Sequence, residues 1–277
     1  MMAFRIAYTE LKNLLRSTKV IVLGVFLLFL HMQVILPLKE CAELMGKKLS
    51  WLEPFIAAGN SGMVVLILPL FFLVMIADFP DESGISPFFH VRCQKRTWVW
   101  GQILFAVSAS LFVTGFVLAA SVLLLIPEGA LFDGFSDAVT KYVSVFPERA
   151  GDYVTQLLPE NIYHQMTLRR AVMHSAGLLF LYFLFLALIV LFFAMMNHKL
   201  AGLLADGILI LAGTVACGFR LEGMWLFPMA HTIGWLHYTE YFSEPVFPLW
   251  GSYVYFLVLI ILLAAGSLAA GKKYEIF

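Results

Sequence analysis

Charge is what this sequence has least of. Lysine and arginine number 18, aspartate and glutamate 18, and together they make 13% of 277 residues. A soluble domain carries nearer ~25%. The formal net charge is zero, so nothing here argues for nucleic acid as a partner. Cysteine is scarce as well. Cys41, Cys93 and Cys217 lie far apart, which excludes a disulfide framework and a thiolate metal site as expectations. No G-x-x-x-x-G-K-[ST] loop is present: Gly46-Lys47-Lys48 and Gly271-Lys272-Lys273 lack both the spacing and the hydroxyl residue. No H-E-x-x-H and no G-x-S-x-G occurs either. The chain is therefore read as no enzyme, with no catalytic, cofactor-binding or metal-ligating residues of its own.

What is there is apolar, at 61% of residues, and it comes in long runs. A helix of ~20 apolar residues crosses the hydrocarbon core of a bilayer. Six such runs are read as spans over 20–38, 54–76, 102–126, 171–196, 200–217 and 252–270. The expected fold class is an all-α membrane protein: six transmembrane helices in a single transmembrane domain over 1–277, behind an N-terminal amphipathic elbow helix over 1–19. Six helices and their loops leave no room for a separate soluble catalytic domain. The first run lacks an A-x-A-like cleavage site and is too long for a signal-peptide core, so it reads as a retained span.

Orientation follows from lysine and arginine. With the N-terminus inside, short cytoplasmic segments hold Arg5, Lys12, Arg16, Lys19, Arg92, Lys95, Arg96, Lys199, Lys272 and Lys273. The other eight basic residues are spread over much longer outer loops. Both termini are thus expected to be cytoplasmic. Trp51, Trp98, Trp100, Trp225, Trp235 and Trp250 all fall at span ends or in loops, where amphipathic rings favour the headgroup layer.

Three segments between the spans carry patterns of their own. Phe4, Ala7, Leu11, Leu14 and Leu15 recur at helical spacing among Arg5, Lys12 and Arg16, which predicts an amphipathic helix in the inner leaflet surface. It serves as a generic anchor or as an elbow framing a docking site. The outer loop over 127–170 shows a helical-period stripe of Phe135, Ala138, Val139, Tyr142, Val143 and Phe146, then Tyr153, Leu157 and Leu158 before Pro159. Surface helices that lie on the outer leaflet or cap the spans are expected there, with simple packing as the first reading and a substrate-binding cap as the alternative. The segment over 218–251 is aromatic but broken by glycine and proline, so it is expected to dip into the outer leaflet and return, as an external gate region or as an ordinary interfacial anchor. His231, His237 and Glu240 lie within it at spacings that do not converge on one helical face, and are read as interfacial polar residues rather than a metal site.

Few polar residues stand inside the spans. Asp206 is the one acid there, and intramembrane acids are functional candidates by default. It lies seven residues from Lys199, near enough along the helix for the two to pair. Ala201, Gly202, Ala205, Gly207, Gly213 and Ala216 surround it and predict close packing inside the bundle. His31 and His174 sit in the outer halves of their spans, as path-lining residues or as interhelical hydrogen bonders. His31, His174 and Asp206 are the candidates for a translocation path.

The inner loop from Asp78 to Gly101 is the most informative stretch. Acids come first (Asp78, Asp81, Glu82), then Gly84 and a short apolar piece with Phe88, Phe89 and Val91. A basic cluster with Arg92 and Arg96 follows, then Trp98, Trp100 and Gly101. Phe88, Phe89 and Val91, with nothing of their own to bury against, mark a partner surface.

With its elbow helix, six spans, acid-Gly…Arg…Trp loop and aromatic broken segment before the last span, the chain resembles a permease of the ABC type-2 exporter family. The resemblance covers nearly the whole chain. It implies that the loop between spans two and three docks on a separate ATP-binding subunit. Glu82, Gly84, Arg96 and Gly101 match the family's acid, glycine, basic residue and re-entry glycine. Gln102 departs from the lysine often found there, and the 127–170 loop exceeds the minimal pattern. The coupling residues are then Glu82, Gly84, Phe88, Phe89, Val91, Arg92 and Arg96. The implied partners are that ATPase subunit, which binds ATP and Mg, a second permease chain, the same or related, and membrane lipids. The implied setting is the plasma membrane of a bacterial cell. The cargo stays open among a peptide, a lipid and an amphipathic drug. An ion-coupled carrier centred on Asp206, and a non-transporting membrane sensor or immunity protein, remain as alternatives.

Overall fold

Hydrocarbon offers the backbone no hydrogen-bonding partner, so a chain of this composition satisfies its amides internally as helices. The computed structural model describes residues 2–81, 89, 92–239 and 245–272. Eight longer helices make up the bundle: α1 (Met2–Arg16), α2 (Val20–Met45), α3 (Glu53–Asn60), α4 (Gly62–Met75), α5 (Lys95–Leu125), α6 (Leu168–Met195), α7 (Lys199–Gly218) and α8 (Leu249–Ala270). Five of them, α2, α5, α6, α7 and α8, are long and apolar enough to cross a membrane. The protein is therefore an all-α, multi-pass membrane protein.

The run expected as one span over 54–76 is broken. α3 and α4 meet at Ser61 with a bend of 83°. Ser61 is extended (φ −76°, ψ 131°), between the weak helix formers Gly59, Asn60 and Gly62. Counted together, the bent pair makes a sixth candidate crossing.

α2 outlasts its expected end at 38 and continues to Met45. It widens into a π turn over His31–Ile35, with the Leu36 amide bonded to the His31 carbonyl five residues back. Pro37 explains the widening: it has no N–H for the Gln33 carbonyl and its ring crowds the preceding turn. Gly46, in the left-handed region at φ 59°, then ends the helix, with Lys47 N–H reaching the Ala42 carbonyl at 3.0 Å.

α6 is the central helix. Its most apolar stretch is 78% buried, against 11% for α8 on the periphery. α5, α7 and α8 pack directly around it. Phe72 of α4 stacks on Phe183 of α6 at 4.6 Å between centroids. Tyr182, Phe183 and Phe256 are fully buried there. Gly202 lets α7 approach closely, because a Cβ at that position would lie 3.1 Å from the Val190 backbone.

The 127–170 segment folds as a cap of short helices, Asp137–Thr140, Tyr142–Val145, Tyr153–Leu157 and Glu160–Gln165. Ala138, Val139 and Tyr142 are buried, as their stripe predicts. A short parallel pairing of Leu49–Ser50 with Gly129–Ala130 fixes its start. Glu53, fully buried, pins it further. Its carboxylate accepts from Ser136 N–H at 2.5 Å, Ser136 Oγ–H at 3.0 Å and Ser50 N–H at 2.8 Å.

Candidate functional site

Two polar regions occupy opposite parts of the bundle. The first lies at the end that carries both ends of the described chain. There α1 packs along the start of α5, because Gly101 leaves room for Ile6: a Cβ on Gly101 would lie 2.8 Å from the Ile6 Cβ. Gly271, just past α8, meets Val99 at the same end.

The stripe expected along α1 divides into two faces. Ala7 and Leu14 are buried, together with Ile6 and Glu10. Phe4, Leu15 and Tyr8 point outward and are exposed. The helix thus has one apolar face packed on α5 and a second one left exposed.

Three segments converge at Asp78. Lys19 Nζ, between α1 and α2, sits 2.6 Å from the Asp78 carboxylate. That hydrogen bond holds the Asp78 carboxyl below the usual carboxylate range. Lys199, the first residue of α7, donates to the carbonyls of Asp78 and Pro80. Lys199 therefore serves the 78–80 turn. Asp206 keeps no ion pair or hydrogen bond among the described residues. It is fully buried, and neither carboxylate oxygen has a partner. The pairing with Lys199 foreseen from spacing does not form.

The expected coupling residues fall unevenly. Glu82, Gly84, Phe88 and Val91 lie outside the described residues. Arg92 and Arg96 are exposed, Arg96 in the first turn of α5. Phe89 departs from expectation: it is half-buried and packs on the bundle's own core. Part of the apolar piece thus has an internal partner.

The second region lies where the aromatic segment over 218–251 folds back on the bundle. Asn60, at the α3–α4 break, is its hub. The Asn60 side chain donates to the Ile56 carbonyl at 2.8 Å and to Ser175 Oγ at 3.0 Å, and accepts from Gly234 N–H at 2.6 Å. The Asn60 carbonyl accepts from Trp235 Nε1–H at 2.9 Å. Every one of these groups would otherwise be an unmet polar atom in an apolar interior.

Beside this hub the two histidines of the aromatic segment meet through Ser252 of α8. His231 Nε2 faces the Trp225 carbonyl at 2.8 Å and so carries the proton. Its Nδ1 accepts from Ser252 Oγ–H at 2.9 Å. His237 Nδ1 donates to the Phe247 carbonyl at 2.7 Å. Both rings are enclosed by Trp225 and Phe247. Burial pushes His231 down to about 4 and lowers His237 as well. Both are neutral structural bonders at pH 7. No group of three or more metal-ligating side chains occurs among the described residues.

Among the described residues, His31, His174 and Asp206 make no hydrogen bond or ion pair with one another. His31 lies in the π turn, half-buried, with Nδ1 unpartnered among the described residues. His174 Nδ1 is 3.1 Å from Tyr253 Oη, an interhelical bond between α6 and α8. Asn60, Glu53 and Ser252 carry more of the architecture than these three. A polar amide between two glycines inside an apolar run was the available signal for Asn60. Glu53, an acid beside Pro54 at a span start, offered a weaker one.

Comparison with protein-family models, with characterised protein sequences and with solved structures finds no match for this chain.

Proposed function

We propose that this chain is the transmembrane permease subunit of an ABC-type exporter, in the plasma membrane of a bacterial cell. It has six spans, the bent α3–α4 pair being the second. Both termini are cytoplasmic and α1 is the elbow helix. Two such chains, identical or related, form the path for a peptide, lipid or amphipathic cargo. A separate subunit binds ATP and Mg and drives the cycle.

The observation that carries this reading is the joint at Asp78. The loop between spans two and three is tied at its start to Lys19 before α2 and to Lys199 at the head of α7. The same loop runs into α5, on which α1 lies. A push on this loop would be passed to four helices at once, which is what a coupling element must do. Differential binding of ATP to two arrangements of the joint supplies the energy. Exposed Arg92 and Arg96 give the docking surface its charge.

The test is charge reversal. The variant with Arg92→Glu and Arg96→Glu keeps its fold but loses cargo-stimulated ATPase activity of the assembled complex. Unchanged stimulation with both reversals in place removes the loop from the coupling role.

One observation favours a second reading. Asp206 is a buried carboxylate with neither oxygen satisfied among the described residues, and intramembrane acids of that kind carry protons or ions in transporters. Proton-driven uptake that needs no ATPase and disappears in Asp206→Asn would establish a carrier instead.

A further inference from the structure

The inner face of α7 is a stripe of Gly202, Asp206, Ile210, Gly213 and Cys217, all buried. Its opposite face carries Leu204, Ile208 and Leu211, all exposed. Glycine brings the neighbours close on either side of Asp206. A Cβ on Gly213 would lie 3.1 Å from the Met229 Cβ, much as one on Gly202 would meet the Val190 backbone. Asp206 is thereby shut in, with 0% exposure and neither carboxyl oxygen partnered among the described residues.

The elements packed most closely on α7 give a carboxylate no partner. They are α6, α4 and the returning turns Met224–Leu226 and Pro228–Thr232. α4 has no charged or hydrogen-bonding side chain. Between Gly177 and Met195, α6 has only the phenol of Tyr182, within electrostatic reach of Asp206 but not bonded to it. His231 is taken up by the Trp225 carbonyl and Ser252, and Thr232 by the Met229 carbonyl. Lys199, at the foot of α7, holds the carbonyls of Asp78 and Pro80.

These surroundings select one form of the side chain. An ionised carboxylate only accepts hydrogen bonds, and the amides within a helix are already spent on its own carbonyls. A neutral carboxyl has an O–H to donate. A helix carbonyl one turn back can accept it, as the Leu104 carbonyl accepts from the Ser108 hydroxyl. An unpaired charge is also far costlier to bury than the neutral group. A proton is the one occupant that needs no cavity.

We propose that Asp206 is a proton-binding site inside the bundle, and that its bound proton keeps α7 packed on α6. Release breaks the O–H bond, leaves the electron pair on the carboxylate and passes the proton to water. Water reaches the site only when α7 parts from α6. α7 is the freer of the two: its most apolar stretch is 33% buried, against 78% for α6. The site rests on this packing and on no ATP-binding subunit or transport cycle. It is tested without cargo or gradient, so it stands or falls apart from the carrier reading.

The test is infrared spectroscopy of the purified full chain, paired with hydrogen exchange. The carbonyl stretch of a neutral carboxyl absorbs apart from that of carboxylates. Wild type at neutral pH should show such a band, and Asp206→Asn should lack it; Asp206→Leu serves as the comparison if Asp206→Asn does not fold. As pH rises the band should disappear. Protection factors at 202–213, corrected for the intrinsic rise of exchange with pH, should fall with it by about tenfold, the scale of one proton released over one pH unit. The variant should keep its protection. A wild-type spectrum without the band, a band the variant shares, or a band that persists until the chain unfolds would overturn the proposal. So would protection that ignores the loss of the band, or that falls equally in the variant.

Discussion

The backbone N–H of Gly234 lies 2.6 Å from the side-chain oxygen of Asn60, across 174 positions of sequence. This bond joins the α3–α4 break to the aromatic segment that returns over it. Asn60→Ala removes the acceptor and leaves the Gly234 N–H unmet in an apolar interior. The loss should be about 2 kcal/mol or more, counting the bonds to Ile56 and Ser175 as well. Thermal unfolding in detergent checks it, and a variant as stable as wild type would show that the break holds without Asn60.

His231 gives the same segment a pH dependence. Its folded value of about 4 lies below the ordinary 6.5, so the unfolded segment binds more protons between those values. Stability of the segment is full above pH ~6.5 and declines as pH falls toward 4. Hydrogen-exchange protection factors at 224–237, corrected for the intrinsic slowing of amide exchange at lower pH, should therefore fall on acidification through that window. His231→Gln should flatten the response. An identical acid response in that variant would assign the effect to other groups.

The docking of α1 rests on a missing side chain. Gly101→Leu places atoms where Ile6 now sits and should dislodge α1, at a cost of about 1–3 kcal/mol. Tryptic cleavage after exposed Arg16 should rise, and Ile6→Ala added to the same chain should restore protection. Unchanged cleavage in Gly101→Leu would mean that α1 is held by other contacts.

Among the described residues, Asp206 has no hydrogen-bond partner that its removal would orphan. Asp206→Leu should leave the melting temperature unchanged or raise it, since an unpaired buried carboxylate costs stability. A marked fall would show that Asp206 has a partner in the membrane that stabilises the bundle.

The long helices were legible because hydrocarbon demands apolar length, and length survives in sequence. The α1 helix was legible by period, but its two apolar faces were not separable, since Ala7 and Phe4 read alike until α5 takes one of them. The break at Ser61 was hidden inside a run of otherwise apolar residues. The weak helix formers Gly59, Asn60 and Gly62 were its local signal, and the bonds from Gly234 and Trp235 that brace it come from distant sequence. The π turn followed from Pro37, a local signal that the hydropathy of the run masked. The meeting of His231 and His237 escaped because periodicity assumes one continuous helix. In the structure Pro228–Thr232 and Gly234–His237 are separate short turns joined through Ser252. Arg92 and Arg96, named from the basic cluster and, for Arg96, from the family resemblance, are exposed, since surface basic residues need no tertiary partner to be so.

The most direct measurement is purification of the chain from its native membranes in mild detergent, with mass spectrometry of the proteins that stay bound. The account predicts a stoichiometric soluble subunit with a phosphate-binding loop, ATPase activity in the complex, and a second permease copy or relative. A chain that elutes without any such subunit, under conditions where a known ABC complex stays whole, would contradict it.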